Sequence, residues 1–224
     1  MSNIGFRILP MPARPAKKLV KALSSMVTAH LSDNMNRLVA GGAALQPMHR
    51  GGKLCGPAFT VKVAPGDNLM VHKAIDIAAP GDVIVVDAGG VTAQAIIGDI
   101  MSSLAEKRGV AGMVIYGAIR DAAEIGARRF PVYACGVTHR GPYKNGPGEI
   151  NCAVALDGMV VHPGDIIVGD EDGVVAVPLA HAEEVLALAR AQLAKETAML
   201  KAIAAGQADR RWVDETLRRL GCDF

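Results

Sequence analysis

Hydrophobic positions recur along this chain with two periods, and the period changes twice. Leu19, Val20, Leu23, Met26 and Val27 stand at helical spacing and predict a helix over residues 16–30. Ahead of it, Pro10, Pro12 and Pro15 make the first fifteen residues an extended arm. Ser32-Asp33 can cap a further helical turn through Asn36 and Arg37, and the Gly-rich stretch from Gly41 to Gly56 reads as loop. From there strands and helices alternate. Ala58–Val63 reads as a strand. Leu69–Ala78 reads as a short helix, opened by Asp67 or Asn68 and stopped by Pro80-Gly81. Asp82–Ala88 is a near-continuous β-branched run, the pattern of a strand covered on both faces. Thr92 to Lys107 reads as helix, Ala111–Tyr116 as strand, Asp121–Ala127 as a short helix and Pro131–Gly136 as strand. This βαβαβ order predicts a parallel sheet with helical crossovers.

After Thr138 the pattern changes again. HRGPYKNGPGEI reads as loop, and Asn151–Leu156, Met159–Val161, Asp165–Val168 and Gly173–Val177 are short β runs. Asp157-Gly158, Pro163-Gly164 and Asp172-Gly173 separate them as turns. This half reads as a β-meander or a small barrel-like sheet. A long helix then runs from Leu179 to about Ala204, and a last short one covers Asp209–Leu220, with Gly221 as its stop. APGDVIVVDAGGV and HPGDIIVGDEDGV echo one another, and two similar turn-into-strand segments account for the echo.

Composition narrows the function classes. The 24 Lys and Arg nearly balance the 22 Asp and Glu, which leaves no electrostatic footprint for nucleic acid or an anionic membrane. Aromatics are only 4%, too few for a base-stacking platform. Hydrophobic residues make up 50% of 224 residues, ample for the core of one domain with appendages. Cys55, Cys135, Cys152 and Cys222 lack the spacing of a zinc or redox site and read as buried, reduced thiols. The N-terminus has no apolar h-region and no apolar run reaches spanning length, so the expectation is a cytoplasmic chain without membrane or nucleic-acid partners.

Candidate chemistry concentrates in GDIMSSLAEKRGVAGMVIYGAIRD, residues 98–121. Arg120-Asp121 follows a buried-type strand by one short step, and ligands of parallel α/β sheets gather at the carboxyl ends of strands. An Arg there can grip a carboxylate with two parallel hydrogen bonds, and an Asp is the oxygen ligand that Mg²⁺ or Mn²⁺ prefers. The same pair reads equally as a helix-capping Asp beside a solvated Arg. Gly98 permits close approach to a ligand, and the amides after it could hold a carboxylate if a helix begins there. Residues 94–107 also fit one continuous helix, in which those amides bond internally and Asp99 is an ordinary polar residue. Lys144 in its Gly/Pro loop reads as a substrate contact or as a solvated lysine, and Glu196 as an exposed carboxylate on the long helix. The six histidines show no metal-ligand spacing, and neither GxGxxG nor GxSxG occurs.

The G-D pair and the R-D pair after the next strand, with PGDVIVVDAGG, GPYKNGPGEIN and HPGDIIVGDEDGVVAVP, resemble a known family. It is the class II pyruvate aldolases typified by 4-hydroxy-4-methyl-2-oxoglutarate/4-carboxy-4-hydroxy-2-oxoadipate aldolase, whose fold is shared with the regulator of ribonuclease activity A. The resemblance covers most of the chain, from the first helix to the end of the β half. It implies an α/β fold: a layered αββα sandwich, swivelling-domain-like, over residues 1–178. Residues 179–224 would form a C-terminal helical extension packing on a neighbouring subunit of a trimer or hexamer.

The resemblance also implies roles. Asp121 binds a divalent metal directly, Mg²⁺ or Mn²⁺, with waters in other positions. Arg120 binds the pyruvyl carboxylate and stabilises the enolate. The backbone of Gly98, Asp99, Ile100 and Met101 holds the same carboxylate. Asp99 orients a water for proton transfer, and Lys144 contacts substrate. Glu196 of a neighbouring subunit stands near the metal. The implied activity is cleavage of 4-hydroxy-2-oxo acids to pyruvate, with oxaloacetate decarboxylation through the same enolate. The chain departs from the aldolases at Ser32-Asp33-Asn34, where they commonly carry a glutamate, and its ending resembles the regulator branch. A non-catalytic regulator of an RNA-processing ribonuclease is the alternative. A methyltransferase is disfavoured, because no glycine-rich loop for S-adenosylmethionine follows the first core strand.

Overall fold

Two sheets share one long strand, and helices cover both outer faces. The computed structural model describes residues 3–224. Its first part holds β1 (Phe6–Ile8), α1 (Lys17–Leu23), α2 (Thr28–Asp33), β2 (Gln46–Pro47), β3 (Leu54–Val63), α3 (Leu69–Ile77) and β4 (Val83–Asp87). The middle holds β5 (Ala95–Ile97), α4 (Asp99–Lys107), β6 (Gly112–Ile119), α5 (Ala122–Gly126) and β7 (Val132–Val137). Then come β8 (Gly148–Ile150), β9 (Val154–Leu156), β10 (Met159–Val161), β11 (Ile166–Asp170) and β12 (Gly173–Val177). A 3₁₀ turn at Leu179–His181 leads into α6 (Ala182–Ala204), and α7 (Arg211–Arg219) ends the chain.

The main sheet runs β1-β8-β3-β4-β6-β7-β2. Strands β3, β4, β6 and β7 are parallel, as the βαβ rhythm predicts. The first half of β3 also pairs antiparallel with β11, which forms a hairpin with β12. Alternating side chains then sort into three apolar layers. On β4, Ile84 and Val86 face α3 and α4 with Val71, Ile75 and Met101, while Val83 and Val85 face Leu156, Ile167 and Ala176. On β11 and β12, Ile166, Val168, Val175 and Val177 turn outward against Leu23, Leu31, Val185 and Leu186 of α1, α2 and α6. The result is the αββα sandwich that the resemblance implies. Replacing a fully buried member such as Ile115 with Ala would cost about 2–5 kcal/mol.

Several expectations need correction. Residues 92–107 are not one helix: Ala95–Ile97 is a strand beside the end of β6, with Ala95 opposite Ala118 and Ile97 opposite Ile119. The three side chains are fully buried, and this tertiary pairing overrides their helical spacing. The helix over 16–30 is broken, because the Ser24 and Ser25 hydroxyls donate to the Lys21 and Ala22 carbonyls and end α1. The N-terminal arm contributes β1, and Arg14 forks onto buried Asp82 with two bonds of 2.7 Å. The 139–150 loop contains β8, which bridges β1 and β3. The last β runs form no single meander or barrel: the β11–β12 hairpin is stitched to β3 through β11, and β9 and β10 make a separate two-stranded sheet. Asp157-Gly158 is a turn between β9 and β10, with φ of 48° and 87°. All four cysteines are free. Three are partly buried, with burial pushing the Cys55 thiol up to about 12, but Cys222 is exposed. No helix among the described residues is long and apolar enough to cross a membrane.

Candidate active site

The carboxyl ends of β5 and β6 lie side by side, and each delivers a functional segment to one cavity of about 260 Å³. After β6, Asp121 takes the left-handed conformation (φ 55°, ψ 44°) at the N-cap of α5. That conformation is costly for a residue with a side chain, although Asp tolerates it better than most. It folds the carboxylate back toward β5, where Oδ2 accepts the Asp99 N–H at 2.9 Å. Arg120 Nε lies 3.7 Å from the same oxygen, and the Arg120 amide donates to the Ile97 carbonyl at 3.0 Å.

Gly98 ends β5 and caps α4 in an extended conformation. The first bond of the helix ladder is Ser102 N–H to the Gly98 carbonyl, so the Ile100 and Met101 amides belong to the unpaired first turn. A Cβ on Gly98 would sit 2.4 Å from Asp121 Oδ2 and 2.9 Å from Arg120 Cγ. Only glycine lets these two segments approach so closely.

The remaining wall comes from the Gly/Pro loop and the start of α3. Asp67, buried at 3% exposure, accepts from the amides of Asn145 (2.6 Å), Gly146 (3.0 Å) and Leu69 (2.9 Å). Asn68 N–H donates to the Tyr143 carbonyl, which completes the anchorage of the loop bearing Lys144. Asn68 Nδ2 reaches across to the Ile96 carbonyl at 2.9 Å and to Met101 Sδ at 3.2 Å. His72 lies one turn further along α3, and burial, then the Lys144 charge, lower its pKa from the usual 6.5. The cavity thus carries Arg120 and Lys144 with His72 against one carboxylate, Asp121, a balance that suits a small anion.

Among the residues expected from the sequence, Gly98, Ile100, Met101, Arg120, Asp121 and Lys144 line this cavity. Asp99 contributes its amide, but its carboxylate pairs with Arg128 at 2.8 Å rather than lining the wall. Glu196 lies elsewhere in the chain, on α6. There it pairs with His30 of α2 at 2.6 Å and accepts from Gln192 at 3.0 Å, and these bonds hold its carboxyl below the usual range. Asn68, His72 and Asp67 were not singled out as site residues. Asn68 stands at the N-cap of α3 and His72 four residues on, a spacing that brings both to one side of the helix start and could flag them.

The residues fit a divalent metal in one specific way. Among the described residues no group of three or more His, Cys, Asp or Glu converges as a ligand cage. A single hard carboxylate suits Mg²⁺ or Mn²⁺, which keep several waters and borrow oxygens from the substrate. The room left by the missing Gly98 side chain lies directly against Asp121 Oδ2.

The Aldolase/RraA family matches residues 28–176, which hold the cavity and the strands from β2 into β12. The chain belongs to that family. A Halalkalibacterium halodurans protein, provisionally named a 4-hydroxy-4-methyl-2-oxoglutarate aldolase, is 42% identical over 176 residues, covering 79% of this chain and 84% of the relative. Two solved structures are similar over most of the chain. A Pseudomonas syringae pv. tomato protein superposes with a TM-score of 0.79 at 29% identity, covering 88% of this chain and 94% of its own. A Streptomyces coelicolor member of the RNase ES inhibitor RraA family superposes with a TM-score of 0.75 at 28% identity, covering 84% and 99%. The family match begins at Thr28, so α1 and the C-terminal α6 and α7 lie outside it.

Proposed function

We propose that this Aldolase/RraA chain is a divalent-metal-dependent lyase that cleaves 4-hydroxy-2-oxo acids to pyruvate and also decarboxylates oxaloacetate. The observation that carries the reading is the convergence of the Asp121 carboxylate, the Arg120 guanidinium and the first turn of α4 on one cavity. The name borne by the Halalkalibacterium relative supports the same class of activity.

Asp121 is the residue that would hold Mg²⁺ or Mn²⁺, and the ion would supply Lewis-acid polarisation of the 2-oxo group. The amides of Ile100 and Met101 face the carboxylate of the pyruvyl half, as helix N-termini favour anions. Arg120 offers a fork of donors to that carboxylate and to the negative charge that develops as the C3–C4 bond breaks. A water in the cavity takes up the 4-hydroxyl proton as the bond breaks and returns one to C3; the Asp99 carboxylate, held by Arg128, does not reach it. Lys144 binds the substrate part that departs, with His72 beside it. The functional unit is a homo-oligomer, a trimer or hexamer. Met199, Leu200 and Ile203, each more than half exposed on the outer length of α6, support such packing, and Glu196 of a neighbour would stand near the metal.

The test is turnover by metal-stripped protein. Pyruvate release from 4-hydroxy-4-methyl-2-oxoglutarate and from oxaloacetate is expected only after Mg²⁺ or Mn²⁺ is restored. Equal turnover with and without metal contradicts the proposal. The similarity to the Streptomyces inhibitor-family structure favours a second reading, a non-catalytic ribonuclease regulator. Stable capture of a purified RNA-processing ribonuclease by protein that lacks lyase activity would select it.

A further inference from the structure

Asp99 is gripped at both of its polar ends, and the grips flank α5. Its amide donates to Asp121, which caps the start of α5, at 2.9 Å. Its carboxylate accepts from Arg128, just past the end of α5, at 2.8 Å. The same guanidinium donates to Ser102 Oγ at 2.6 Å, to Ser103 Oγ at 2.7 Å and to Glu106 at 3.2 Å. Ser102 in turn donates to the Gly98 and Asp99 carbonyls. One planar fork therefore reaches four side chains on the first two turns of α4, and its own side chain is only 24% exposed. A lone surface ion pair contributes little. A fork on several acceptors also fixes orientation, which a point charge cannot do.

We infer that Arg128 is a positioning residue for the cavity. It holds the first turn of α4 in register with α5, so that the Asp99 amide fixes the Asp121 carboxylate and the neighbouring amides face the ligand. The consequence for metal binding rests on the function proposed above; the mechanical part does not, because losing Arg128 loosens this turn with or without metal. The arrangement also occupies the Asp99 carboxylate, which faces Arg128 and not the cavity.

The experiment compares the parent with Arg128→Gln, Arg128→Lys and Glu106→Gln, the last removing only the charge of the fork's outermost acceptor. Backbone hydrogen exchange is read over residues 98–103, and Mn²⁺ affinity is read by electron paramagnetic resonance. Arg128→Gln should exchange faster across that turn while β6 stays protected. Its Mn²⁺ affinity should fall roughly tenfold, the scale seen when a group that orients a metal ligand is lost. Arg128→Lys should fall between, and Glu106→Gln should match the parent. Unchanged exchange in folded Arg128→Gln overturns the proposal, as does faster exchange with unchanged Mn²⁺ affinity. Equal loosening by Glu106→Gln overturns it too, since the fork would then act away from Asp99. A parent that binds no Mn²⁺ overturns the metal reading instead, and exchange alone then decides on Arg128. If Arg128→Gln does not fold, Arg128→Lys carries the same comparison.

Discussion

The backbone N–H of Asp99 donates to Asp121 Oδ2 at 2.9 Å, joining the start of α4 to the end of β6 across 22 residues of sequence. Gly98 makes this approach possible, because a Cβ there would meet the same oxygen at 2.4 Å. Gly98→Ala should therefore displace Asp121 and Arg120 while leaving the buried sheet intact. A misplacement of this size is expected to lower kcat/KM by about 10²-fold. Steady-state kinetics beside a thermal melt check it, and a variant of parental activity would show that the close approach is dispensable.

Arg120 is the only guanidinium lining the cavity among the described residues. If it stabilises developing negative charge, Arg120→Ala should lose about 10²–10³ in kcat. Arg120→Lys keeps the charge without the fork and should recover only part of the loss. Full activity in Arg120→Lys would mean that charge alone suffices.

Asp67 never touches the cavity, yet its carboxylate gathers three amides that hold the loop bearing Lys144. Asp67→Ala leaves three part-buried donors without their acceptor and should cost about 1–3 kcal/mol of stability. It should raise KM more than it lowers kcat, because in the proposed function this loop binds substrate and does not react. Urea unfolding and steady-state kinetics on the same preparation separate the two effects.

Particular residues show how much of this was legible in the sequence. The β-branched run Val83–Val86 and the strand before Arg120-Asp121 declare a buried parallel sheet, because burial on both faces leaves no polar position to disguise them. Arg120-Asp121 was therefore placed correctly at a strand's carboxyl end. Ala95–Ile97 was hidden, since three residues at the rim of a sheet carry too little pattern to outweigh helical spacing on both sides. Spacing alone leaves the first turn of α4 ambiguous, and the pairing of β5 with β6 fixes it. Gly148–Ile150 is hidden likewise, as its partners, Phe6–Ile8 and Val61–Val63, are far from it and from each other in sequence. Asp67 and Arg128 act through backbone amides and a neighbouring helix, and no residue spacing records either contact.

His72 ties the cavity to pH. Burial and Lys144 lower its pKa, so the folded state binds fewer protons there than the unfolded chain. The stability of the fold with respect to this group is intact above the ordinary histidine value of 6.5 and falls as pH drops through it toward the folded value. Chemical unfolding between pH of about 7 and about 5 spans that window. The parent should lose more stability on acidification than His72→Asn. Equal losses would remove His72 as a contributor.

The central claim is that Asp121, as a metal ligand, and Arg120 generate a pyruvate enolate. Exchange of the methyl protons of pyruvate in D₂O, followed by NMR, tests it directly, because it needs only the pyruvyl half of any substrate. The parent with Mg²⁺ should exchange the C3 protons for deuterium, while the metal-stripped parent and Asp121→Ala with Mg²⁺ should not. Exchange by Asp121→Ala at the parental rate, or none by the folded parent with Mg²⁺ or Mn²⁺, would contradict the account.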